Sequence, residues 1–195
     1  MSGPRAAALA ALLLTGLFAG CGTDDPGPTP TDPASNLASV ETDLPPCPDQ
    51  PDTPAADRDL TGLSLTCFSG GTLDLGRAPG VPTVINLWAS WCGPCREELP
   101  LVQQLADAAG DRVRVLTVNS QDGVPQATSF AADTRLDLPT AYDGKGTVSA
   151  ALGLRGLPQT VFVAADGSVA FVQVKAVTSL AEFESLVADH LGVRL

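Results

Sequence analysis

The sequence is short of cations. It carries 11 Lys and Arg against 22 Asp and Glu, a net charge of −11. With so few cations there is no basic patch to meet phosphates, which argues against a nucleic-acid partner. Histidine is scarcer still, since His190, near the C-terminal end, is the only one. A zinc site built on a cysteine pair needs two further Cys or His ligands at suitable spacing, and one remote histidine does not supply them. No metal and no cofactor is expected, and His190 reads as a surface residue outside the apolar face of its helix. Long apolar runs are also missing. The stretch from Ala6 to Phe18 is too short for a comfortable transmembrane helix. What remains is enough for one folded unit: 195 residues suit a single domain with appendages, and 44% apolar content can fill a core.

The chain is organised around Trp88-Ala89-Ser90-Trp91-Cys92-Gly93-Pro94-Cys95. The apolar run Val84-Ile85-Asn86-Leu87 before it reads as a buried strand, with Pro82 ahead of it. The run from Arg96 to Ala106 after it reads as a helix, which Pro100 should kink by removing one backbone bond. Two cysteines, two residues apart, therefore sit where a strand hands over to a helix. A thiol at a helix N-terminus faces unpaired N–H groups and the positive end of the helix dipole. Both favour the thiolate, so the Cys92 pKa should drop from about 8.5 to somewhere between roughly 3.5 and 7.5. The thiolate is the form that attacks disulfides. Cys95, one turn further in, then closes the Cys92–Cys95 disulfide. An inert structural disulfide or half of a zinc site is the alternative.

These residues carry a family resemblance. Trp91-Cys92-Gly93-Pro94-Cys95 after an apolar strand resembles the active site of the thioredoxin fold. Gly156-Leu157-Pro158-Gln159-Thr160, ahead of Val161-Phe162-Val163, resembles the family's cis-proline loop, which faces the cysteine pair; an ordinary turn proline is the alternative for Pro158. A hairpin over 61–75, in which Leu63, Leu65 and Cys67 alternate with Ser64 and Thr66 before the turn Ser69-Gly70-Gly71, resembles the TlpA/ResA-like branch. Asn86 stands where thioredoxin has a buried Asp, a change common in that branch. Glu98, three residues after Cys95, resembles the Glu that takes part in the proton chemistry of ResA-like sites; a solvated residue in the first turn is the alternative.

The resemblance implies an α/β, thioredoxin-like fold: a mixed central sheet with helices on both faces, an N-terminal β-hairpin and a TlpA/ResA-type insertion. Strands are expected at 113–118, 138–142, 160–164 and 169–174, and helices at 124–135 and 147–152. A last helix starts at Ser179, where Ser179 and Glu182 form a capping box. The resemblance also implies the activity, a thiol–disulfide exchange on protein substrates. Cys92 attacks, Cys95 resolves, and Glu98 and Pro158 belong to the catalytic centre. Trp91, Pro94 and Leu157 line an apolar rim where an extended segment of the partner docks. Proteins of this branch usually reduce, drawing electrons from a membrane thiol donor and acting on apocytochrome c or other exported cysteines. A disulfide-forming oxidase, a copper chaperone and a non-catalytic binding lipoprotein are the rival readings. Copper chaperones of this fold use a three-residue Cys spacer and a nearby His, which this sequence lacks.

Small residues before Cys21, in Leu17-Phe18-Ala19-Gly20-Cys21, resemble a bacterial lipobox, although Phe18 stands where Leu is commonest and Leu17 comes one place early. This implies a signal peptide over 1–20, a lipid on Cys21 and a domain held at the outer face of the cytoplasmic membrane; secretion with cleavage nearby is the alternative. Residues 21–57 are rich in Pro, Gly, Thr and Asp and read as an extended, solvated tether. The thioredoxin-like domain then spans 58–195. If Cys21 carries lipid and Cys92 pairs with Cys95, Cys47 and Cys67 are left. In an oxidising compartment they make a natural structural disulfide, and a second redox pair is the alternative.

Overall fold

The computed structural model describes residue 37 and residues 40–195. The signal peptide over 1–20, the lipid site Cys21 and the tether as far as residue 39, apart from Leu37, lie outside the described residues.

Strand β3 (Thr83–Trp88) is buried along its whole length, as its apolar run requires. It lies at the centre of a five-stranded sheet. On one side it pairs in parallel with β4 (Arg114–Ser120), and β4 in turn with β5 (Thr140–Asp143). On the other side it pairs antiparallel with β6 (Gln159–Val163), which pairs with β7 (Val169–Gln173). Successive side chains of β3 point to opposite faces. Val84 and Trp88 meet helices α1 (Gly93–Ala109), α2 (Val124–Thr134) and α4 (Leu180–Leu191), while Ile85 and Leu87 face the short α3 (Thr147–Ala151) and a hairpin of β1 (Ser64–Thr66) and β2 (Thr72–Asp74). The fold is thus thioredoxin-like, and its two faces are unequal. Helices cover both, but the three longer ones share one face, and the hairpin does most of the covering on the other.

Leu99, Val102 and Leu105 of α1 are almost fully buried against that helical face, each burial contributing roughly 1.5–3 kcal/mol. The helix continues through Pro100 to Ala109, so the proline removes one hydrogen bond without ending it. At α4 the Ser179 hydroxyl accepts from Glu182 N–H at 3.2 Å, but the Glu182 carboxylate reaches back to Thr178 N–H at 3.0 Å, one residue earlier than a capping box has it. His190 is half-buried and stacks on Phe171 with ring centroids 3.9 Å apart, so it is not a plain surface residue.

The described part of the expected tether departs from an extended, solvated spacer. Leu37 and Leu44 are buried among the side chains of the helical face, and Cys47 is buried on the hairpin face. Residues 40–57 thus form a strap that passes from one face to the other. Cys47 is disulfide-bonded to Cys67, with Cα atoms 6.0 Å apart, and Cys67 pairs with Ala141 on the edge strand β5. Further on, Ala55 N–H donates to Gly76 O and Ala56 N–H to Asp166 O. Two glycines admit this close path. A Cβ at Gly71 would lie 2.8 Å from Cys47 O, and one at Gly167 would lie 2.5 Å from Ala55 Cβ; both residues have positive φ. The physical reason for the difference is that the strap binds through single buried side chains and close backbone contacts, which a polar composition does not preclude.

Replacing both Cys47 and Cys67 with alanine is expected to lower stability by about 3 kcal/mol, the chain-entropy value for a loop of this length. Urea unfolding of the double variant against the parent measures it.

Candidate active site

The C-terminal end of β3 delivers the cysteines. A tight turn follows the strand, closed by Cys92 N–H donating to Ala89 O at 3.1 Å. Cys92 is the N-cap of α1, and Gly93 and Pro94 open the helix. The Cys92 sulfur accepts the Cys95 N–H at 3.3 Å, one of the donors that a helix start leaves unpaired. This contact gains strength when the sulfur is anionic. The two cysteines form a disulfide, with Cα atoms 5.3 Å apart. Both are buried, Cys95 the more deeply.

Around them the surface is uneven. Trp91 is 61% exposed, an unusual state for a large aromatic ring, yet its Nε1 donates to Gln121 O at 2.9 Å. Gly93 and Pro94 are exposed, and Leu157 is half-buried. Leu157 packs against the cluster that includes both cysteines. The Leu157–Pro158 bond is cis. Sheet register carries this loop to the site, because Gln159, directly after Pro158, pairs with Leu87 near the end of β3. The Gln159 side chain braces the loop. Its Nε2 donates to Gly156 O at 2.6 Å, and its Oε1 accepts from Ser149 Oγ on α3 at 3.0 Å. Trp91, Pro94, Leu157 and Pro158 are thus brought to the cysteine end of the sheet, whereas Cys47 and Cys67 lie on the hairpin face.

Glu98 is buried to 1% exposure, so it is not the solvated first-turn residue of the alternative reading. Its Oε1 accepts the Val177 N–H at 2.7 Å and its Oε2 accepts Asn86 Nδ2 at 2.8 Å. Asn86 Nδ2 also donates to Thr160 Oγ1 at 2.9 Å, while Asn86 Oδ1 has no hydrogen-bond partner among the described residues. Burial raises the Glu98 pKa above its ordinary value; the bonds from Val177 and Asn86 pull the other way, and the Glu182 charge adds to the rise. An ionisable group thus sits inside the protein, one helical turn from Cys95, on a network that joins α1, β3, β6 and the segment before α4.

Two side chains that hold the site have no counterpart among the residues expected from sequence: Gln159, and Asp122 in the loop after β4. Gln159 follows the proline directly, so a buried amide there could have been suspected. Asp122 precedes the first turn of α2 and reads locally as a turn residue; its partner Ser90 lies 32 residues away in sequence.

Comparison with known proteins agrees with this geometry. A family model described as Redoxin matches residues 48–188. A thioredoxin from Rhodospirillum rubrum is 33% identical over 111 residues, covering 57% of this chain and 84% of the relative. The thiol:disulfide interchange protein CycY of Rhizobium leguminosarum bv. viciae is 30% identical over 109 residues, 55% of this chain and 58% of that protein. Among solved structures, a secreted Mycobacterium tuberculosis disulfide oxidoreductase, described as homologous to E. coli DsbE, matches with a TM-score of 0.56 and 26% identity, over 67% of this chain and 95% of its own.

Proposed function

Because this chain belongs to the Redoxin family, and is a TlpA/ResA-like thiol–disulfide oxidoreductase with a Cys92–Cys95 pair, we propose that it works outside the cytoplasm as a reductase of protein disulfides. The observation that carries this is the Cys92 sulfur at the first turn of α1, receiving the Cys95 N–H. In the reaction, the Cys92 thiolate attacks one sulfur of a substrate disulfide and a mixed disulfide forms. The other substrate sulfur leaves as a thiolate and takes a proton. The Cys95 thiol loses its proton and attacks Cys92, which releases the second substrate thiol. The substrate gains two electrons and two protons, and the protein is left with the Cys92–Cys95 disulfide. Glu98 is the internal group assigned to hold or release the Cys95 proton. Trp91, Pro94 and Leu157 form the rim that receives the substrate chain, and the cis-proline loop at Pro158 faces the pair. A membrane thiol donor regenerates the dithiol, and apocytochrome c is one substrate of the right chemistry.

The direction is supported by the Gly93-Pro94 spacer between the cysteines, which resembles that of reducing thioredoxins. A reduction potential near −270 mV is expected, while one near −120 mV would move the protein to disulfide formation. The reaction itself is tested by a Cys95→Ser variant expressed in the exporting host. Cys92 should hold its substrates as stable mixed disulfides that mass spectrometry identifies, and an empty trap counts against protein substrates. We further assign the lipid anchor to Cys21 and a structural role to the Cys47–Cys67 bond. A Cys21→Ala variant should then appear in the medium instead of the membrane fraction.

A further inference from the structure

The loop between β4 and α2 carries a carboxylate that the exchange step does not use. Asp122 is half-buried, and four donors converge on its two oxygens. Oδ2 accepts Ser90 N–H at 2.6 Å and Asn119 Nδ2 at 3.0 Å. Oδ1 accepts Ser90 Oγ at 2.9 Å and Gly123 N–H at 2.9 Å. An ionised carboxylate accepts on both oxygens and donates on neither, so it fits all four at once. An amide of the same shape would set its NH2 against a main-chain N–H that can only donate, that of Ser90 on one oxygen or of Gly123 on the other.

The hold passes directly to the cysteine. The peptide joining Ala89 to Ser90 donates its N–H to Asp122, while its carbonyl accepts the Cys92 N–H at 3.1 Å. One peptide unit thus separates Asp122 from the main chain of Cys92. The Ser90 carbonyl is bonded by Arg96 Nη1 at 3.2 Å, so cation and anion grip the same residue. Trp91 follows, with its indole on Gln121 O. The Tyr142 hydroxyl donates to Asp122 O at 2.9 Å and fixes the loop from β5. The sulfur of Cys92, by contrast, is stabilised from within α1 by Cys95 N–H, a group that Asp122 does not touch.

We propose that Asp122 is a positioning residue of the exchange reaction: it fixes the turn that presents Cys92, together with the rim residue Trp91, for a polypeptide substrate, and it does not stabilise the Cys92 thiolate. The inference rests on the Cys92–Cys95 exchange assigned above. Two rates separate it from a general effect on folding. The first is reduction of insulin disulfides with the protein recycled by dithiothreitol, and the second is alkylation of reduced Cys92 by iodoacetamide at pH 7. For Asp122→Asn, kcat/KM with insulin should fall about tenfold, the loss expected for hydrogen bonds to a charged group. Alkylation should be unchanged or faster, because an anion near the thiolate has been removed. Ser90→Ala keeps that charge and removes one donor, so it should lower the insulin rate about threefold and leave alkylation unchanged. Insulin rates equal to the parent's overturn the proposal, and so does any fall in alkylation. If Asp122→Asn does not fold, Ser90→Ala decides alone. A parent protein that fails to reduce insulin would instead remove the exchange reading itself.

Discussion

Cys92→Ser is expected to abolish exchange, by on the order of 10⁴-fold or more, the scale on which enzymes lose rate with their covalent nucleophile. The reason lies at the start of α1, where the sulfur meets a main-chain donor in the first helical turn. A hydroxyl in the same place stays protonated and neutral at working pH, so no anion forms to attack sulfur. Cys95→Ser should differ in kind. The first attack survives and only resolution is lost, which gives one turnover and a covalent adduct. Turnover assays on the two variants, read beside the adduct mass, distinguish attacking from resolving thiol. The same helix start fixes the acidity of the sulfur. Alkylation of the reduced protein across a pH series should reach half its limiting rate at a midpoint within roughly pH 3.5–7.5, and a midpoint at about 8.5 would mean an ordinary thiol.

The largest effect on stability is expected at Glu98. Glu98→Ala leaves the Val177 N–H and the Asn86 amide without their acceptor in a place closed to water. Each orphaned donor costs about 1–3 kcal/mol, and the emptied volume adds to it, so a loss of roughly 3 kcal/mol or more is expected. The pH dependence follows from the raised pKa. In the unfolded chain the carboxyl titrates near its ordinary value of 4.5, but in the folded protein it keeps its proton to higher pH. Between those two values the folded state binds more protons, so stability falls as pH rises and levels off above the folded pKa. Glu98→Gln has no proton to lose and should remove this slope. Denaturant unfolding from pH 4 to pH 8, parent against variant, measures both size and sign. Parallel curves would mean that Glu98 titrates as it does in the unfolded chain.

The sheet and helices could be read from the chain because their signals are local. Val84, Ile85 and Leu87 make a short apolar run of the kind that a strand buried on both faces carries, and Ser179 begins a helix because its hydroxyl has an N–H to accept. The cysteine pair was legible for the same reason, since it sits between two such signals. The strap was not. Leu44 and Cys47 are single apolar residues among Pro, Asp and Thr, with no period, and what holds them lies elsewhere in the chain: the helical face for one, Cys67 for the other. Asp122 was hidden likewise. Its turn is visible in sequence, but Ser90 is 32 residues away, and only the parallel pairing of β3 with β4 brings the two loops side by side.

If Cys21 carries the lipid proposed above, the seated strap sets a working radius for the enzyme. Had every residue from 22 to 57 been free, the leash from a lipid on Cys21 could have reached on the order of 120 Å at about 3.3–3.6 Å per residue. With Leu37 already seated on the domain, the 16 steps that separate it from Cys21 span at most about 55 Å. With that lipid in place, clients would have to come within a few nanometres of the bilayer, and cysteines emerging at the membrane would be served before those far out in the envelope.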